Sequence, residues 1–127
     1  MDNRQLNILV IEDSENDYKL LTRALSKEIS LLNTKRVDTV ETLHDALTDK
    51  KWDIVISDNN IPDLRVSPKS SFELSRSINP NVPFIIVSGT IDEENAVKLM
   101  KLGVNDYILK LSLTTFYKPS PAHNTAL

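Results

Sequence analysis

Ile8-Leu9-Val10-Ile11-Glu12-Asp13-Ser14 carries four apolar residues, three of them β-branched, that stop at two adjacent acids and a serine. A run this short and this β-branched predicts a strand covered on both faces rather than a buried helix. Ser14 is placed to cap a helix whose first turn holds Glu15 and Asp17. Leu20, Leu21, Ala24 and Leu25 then recur at helical spacing, so that helix is expected over about residues 15–28.

Downstream the pattern repeats. A weak strand near Lys35 to Thr39 precedes Val40, Leu43, Ala46 and Leu47, a helix ending near Lys50. Ile54, Val55 and Ile56 form a buried strand running into Ser57-Asp58-Asn59-Asn60-Ile61-Pro62, where the proline forbids continuation in a central strand. Asp63 to Ser71 reads as a polar loop leading to a short amphipathic segment with Phe72, Leu74 and Ile78. Phe84 to Val87 is the fourth strand, followed by a turn at Gly89. Asp92 to Leu102 is a helix with Ala96, Val97, Leu99 and Met100 on its apolar side and Gly103 as its cap, and Asp106 to Leu109 is the fifth strand. Strands alternating with helices specify an α/β, doubly wound five-stranded parallel sheet with right-handed crossovers and helices on both faces. Leu111 to Lys118 leaves room for a shortened fifth helix before Pro119. One domain over 1–118 with a disordered tail over 119–127 is expected.

Composition narrows the function. The chain has 127 residues, no cysteine, and a formal charge of -3 from 15 basic and 18 acidic residues. Disulfides and thiolate metal sites are excluded. No basic stretch exceeds Lys50-Lys51, so nothing tracks a phosphate backbone and no direct nucleic-acid partner is expected. The longest apolar runs are far short of the roughly 20 residues that span a bilayer. With no secretory h-region at the amino terminus, a cytoplasmic location is expected.

Ligands of open parallel sheets bind beyond the carboxyl ends of the strands. There the sequence places Glu12, Asp13, Asp58, Ser88 and Lys110. Three carboxylates in one crevice repel each other, and a hard divalent cation with oxygen ligands is the simplest neutraliser; magnesium, which favours one or two carboxylates with phosphate oxygens, fits best. Asp17, Asp53 and Asp92 are read as solvated or helix-starting charges. His44 and His123 form no ligand pair. Gly89 and Gly103 open no phosphate-cradling loop, so nucleotide binding is not expected.

The stretches Ile8 to Ser14, Ile54 to Pro62, Phe84 to Thr90 and Asp106 to Lys110 together resemble the receiver domain of bacterial response regulators, over residues 6 to about 113. Asp13, Asp58, Ser88 and Lys110 follow one another at intervals of 45, 30 and 22 residues, a far more specific signal than any one motif. The resemblance implies strand order 2-1-3-4-5. It implies that Asp58 is the phosphoacceptor, that Glu12, Asp13, Asp58 and the backbone carbonyl of Asn60 hold Mg2+, and that Ser88, Tyr107 and Lys110 read the phosphoryl group. Tyr107 would be a rotamer switch, although an aromatic there also suits plain packing. The implied role is a signalling phosphoacceptor of a two-component phosphorelay, not an enzyme with a substrate of its own. Its donor would be a histidine kinase or phosphotransfer protein, and its output a downstream protein, an adjacent domain or a dimer partner.

The alternative is a phosphorylation-independent interaction module of the same fold, which the intact acidic set disfavours. An aspartyl phosphatase would need a second acid two residues after Asp58, where Asn60 stands. The chain departs from the family in the glycine-free, longer stretch Asp63 to Ser71 and in Leu111 after Lys110 in place of proline. The fourth helix, fifth strand and Leu111 to Lys118 are expected to form the partner-binding face, with Asp63 to Ser71 as a second candidate.

Overall fold

The computed structural model describes residues 5–90 and 92–110. The chain alternates β1 (Leu6–Ile11), α1 (Glu15–Ser26), β2 (Leu32–Val37), α2 (Val40–Asp49), β3 (Ile54–Asp58), a 3-10 turn (Leu64–Val66), α3 (Pro68–Ile78), β4 (Phe84–Ser88), α4 (Glu93–Leu102) and β5 (Asp106–Leu109). All strand pairs are parallel, in the order β2-β1-β3-β4-β5, as expected. The fifth helix, the boundary at Lys118 and the tail lie outside the described residues.

Alternation along the strands divides the interior into two layers. Leu9, Ile11, Val55, Phe84 and Ile86 face one side, where Leu43, Leu47, Phe72 and Leu99 from α2, α3 and α4 cover them. Ile8, Val10, Ile56 and Val87 face the other, against Tyr18, Leu21 and Leu25 of α1. This two-sided burial is why the central strands read as unbroken apolar runs.

Three boundaries differ from the sequence reading. β2 lies earlier, at Leu32–Val37, because Thr39 caps α2: its side chain accepts from the Thr42 amide while the Thr42 hydroxyl accepts from the Thr39 amide. α1 stops at Ser26, short of residue 28. The stretch expected as a loop over Asp63 to Ser71 is largely ordered by its own residues. Asp63 caps the 3-10 turn, and Ser67 caps α3 with Pro68 at its first position, where a missing amide proton costs nothing.

At the end of the sheet away from the strands' carboxyl termini, Asn105 fastens β4. Its amide donates to the Phe84 carbonyl, and its Oδ1 accepts from the Phe84 amide at 2.8 Å and from Arg76 Nη2 at 3.0 Å. Gly103 closes α4 at φ 118°, and a Cβ there would meet Phe72 Cζ at 3.2 Å. Gly103→Ala is expected to lower stability by about 1–2 kcal/mol through left-handed strain and crowding, measured by urea denaturation.

Candidate functional site

The strand register builds the crevice. Ile11 pairs with Ser57, Asp58 with Val87 and Ser88 with Leu109, so Glu12, Asp58, Ser88 and Lys110 all stand at one end of the sheet. The Asp58 side chain is only 4% exposed and Lys110 30%, with Lys110 Nζ 2.7 Å from Asp58 Oδ1. The same ammonium lies 3.4 Å from Glu12 Oε1 and 3.1 Å from Asp17 Oδ2. Asp58 Oδ2 accepts from the Asn60 amide at 3.2 Å, across the bend at Asn59. Glu12 is held by the Ser14 amide at 3.1 Å, and its carbonyl accepts from Arg36 Nη1 at 3.2 Å.

Glu12, Asp13 and Asp58 each offer an oxygen, all within 4.8 Å of one another, with Asp13 exposed and the other two buried. Burial pushes the Glu12 carboxyl above its ordinary value, and the Asp58 charge adds to this; the Ser14 amide and Lys110 oppose it. For Lys110, burial disfavours the charged form, but the contacts with Asp58, Asp17 and Glu12 outweigh it and raise its pKa. An all-oxygen acidic set, half open to solvent and neutralised in part by a single ammonium, fits a hard divalent ion.

Ser88 is fully buried and its Oγ accepts from the Thr90 amide at 3.3 Å. Tyr107 packs against the core from β5, its hydroxyl buried and without a hydrogen-bond partner among the described residues. Asp53, which accepts from the Asn7 amide, and Asp92, which caps α4, keep the structural roles read for them. Asp17 does not. It faces Lys110, a contact that inspection of strand ends alone misses because Asp17 sits inside the first turn of α1.

Residues 8–114 match the response regulator receiver domain family. The chain belongs to that family. Receiver domains are signalling modules of two-component systems. This one is 27% identical over 105 residues to the transcriptional regulatory protein CusR of Escherichia coli, covering 83% of this chain and 44% of CusR. It is 24% identical over 113 residues to chemotaxis protein CheY-3 of Vibrio cholerae, covering 85% of this chain and 82% of CheY-3. The receiver domain thus spans less than half of CusR but most of CheY-3. In fold it is similar to a response regulator from Hahella chejuensis, with TM-score 0.75 and 21% identity over 88% of this chain and 85% of that one. It is also similar to one from Burkholderia pseudomallei, with TM-score 0.66 and 18% identity over 96% of this chain and 65% of that one, whose crystal structure holds a phosphorylated aspartic acid and a calcium ion.

Proposed function

We propose that this receiver domain takes a phosphoryl group onto Asp58 from a phosphohistidine of a histidine kinase or phosphotransfer protein, and that the group then resets a partner-binding face. The observation that carries this is the buried Asp58 carboxylate, 2.7 Å from Lys110 and within the acidic trio. In the transfer, an Asp58 oxygen bonds to phosphorus while the phosphorus–nitrogen bond breaks. The electron pair leaves with the imidazole, which takes a proton. Lys110, a compact cation on a flexible stem, meets the charge on the equatorial oxygens. Water later cleaves the acyl phosphate, returning carboxylate and phosphate, so the chain turns over no substrate but its own phosphoryl group.

Glu12, Asp13, Asp58 and the Asn60 carbonyl would hold magnesium, which would supply the positive charge that lets an anionic donor approach a carboxylate. Support for it is the all-oxygen donor set and the calcium named for the Burkholderia pseudomallei protein. No described helix is long and apolar enough to cross a membrane. The cytoplasm is the compartment this reading assigns.

The face proposed to change is that of α4 and β5. Val97, Met100 and Leu102 are exposed there, and Tyr107 lines an open groove with Glu93, Ala96, Val97, Met100 and Asp106. A buried hydroxyl costs about 1–3 kcal/mol when it lacks a partner, and that of Tyr107 finds none among the described residues, which gives it a reason to move when Ser88 is drawn to a phosphoryl oxygen. Ser88→Ala is expected to keep phosphoryl uptake and lose the response of Tyr107, read from its NMR shifts before and after phosphorylation; identical responses in both proteins would remove Ser88 from the relay. The test of the whole reading is intact-mass spectrometry after incubation with acetyl phosphate and magnesium. One added phosphoryl group is expected. No added mass would favour a module that acts without phosphorylation.

A further inference from the structure

On that reading Glu12, Asp13 and Asp58 hold the metal and Asp58 the phosphoryl group, which leaves the fourth carboxylate of the crevice, Asp17, without a part in it. Asp17 Oδ2 lies 3.1 Å from Lys110 Nζ, nearer than Glu12 Oε1 at 3.4 Å. Its placement comes from Ser14. The Ser14 amide donates to Glu12 Oε2 and the Ser14 Oγ accepts from the Asp17 amide, each at 3.1 Å, so one residue fixes both the end of β1 and the turn that carries Asp17.

We infer that Asp17 is a positioning residue that keeps Lys110 at the crevice when a cation occupies it. Glu12 and Asp58, the other two carboxylates found within 4 Å of this ammonium among the described residues, both belong to the group that can close on a metal; Asp17 does not. With a divalent ion in the crevice, the oxygens of Glu12 and Asp58 would be engaged by it and the ammonium would be repelled. Asp17, outside that group, stays available to Lys110. Without it the flexible lysine stem is held less firmly at the crevice, and the cation that should meet the phosphoryl oxygens is less often in place.

The competing account is that Asp17 merely complements the helix dipole in the first turn of α1. Glu15 provides the control: it shares that turn and pairs with Lys19 at 3.9 Å, away from Lys110. The experiment uses the full chain labelled with nitrogen-15 and follows the lysine ammonium signals by NMR, with Lys110→Arg identifying the Lys110 resonance. Exchange of the Lys110 ammonium protons with water is measured with and without magnesium chloride. The wild type is expected to exchange slowly in both conditions. Asp17→Asn is expected to speed exchange by about fivefold with magnesium, as befits an ion pair partly open to water, and by less without it, while Glu15→Gln leaves it unchanged.

Equal rates for Asp17→Asn and wild type in both conditions would overturn the inference. So would equal acceleration by Glu15→Gln, or a wild-type ammonium that magnesium alone releases. Should magnesium fail to shift the amide signals of Glu12, Asp13 and Asp58, the metal reading and the metal-bound half of this inference both fall, while the rates without metal still decide whether Asp17 holds Lys110.

Discussion

Asp58→Asn gains no phosphoryl mass from acetyl phosphate and magnesium under conditions in which the wild type gains one group per chain. The side chain is buried at the carboxyl end of β3, so an amide of the same shape fits the space while losing the nucleophile. Uptake of phosphate by Asp58→Asn would move the acceptor elsewhere. The same variant separates metal binding from chemistry. In the wild type, magnesium at 100 times its dissociation constant is expected to add about 2.7 kcal/mol of stability, measured by urea denaturation. Asp58→Asn removes one charged ligand and should gain measurably less. An equal gain in both proteins would place the ion outside the trio.

Lys110→Met is expected to cost about 3 kcal/mol without metal, because it strips the ammonium from Asp58 and Glu12, whose side chains are only 4% and 5% exposed. That is a large share of a domain's net stability. Magnesium should return most of the loss, since the ion and the ammonium neutralise the same oxygens. A deficit that is the same with and without magnesium would show that Lys110 packs rather than neutralises.

The pH dependence gives an independent check. Glu12 is raised above its ordinary 4.5, so the folded state holds its proton longer than the unfolded chain, and stability is lost as pH rises from 4.5 through the folded value. Removing Lys110 should push Glu12 further up and widen that window. Lys110 is itself raised above 10.5; its contribution is whole below that pH and declines only as pH rises beyond it.

The sheet was legible because parallel strands buried on both faces leave short β-branched runs, and the crevice because those runs end on Glu12, Asp58, Ser88 and Lys110. The start of α3 was not. Pro68 and the serines around it look like a loop by composition, and only the capping geometry of Ser67 turns them into a helix. Asp17 was missed for a different reason. Its partner lies 93 residues away, and first-turn acids are so commonly solvated that nothing local distinguishes this one. The burial of the Tyr107 hydroxyl, without a partner among the described residues, is likewise a property of packing, invisible in the residue type.

The Asn105 clamp has a mechanical consequence. It rivets the amino end of β4 to the turn before β5, with Arg76 of α3 bound into the same knot. Ser88 and Lys110 sit at the far tips of the two strands. A shift at the tips is therefore resisted at this end of the pair by the bonds of Asn105 to Phe84 and by Arg76, which the far end does not share.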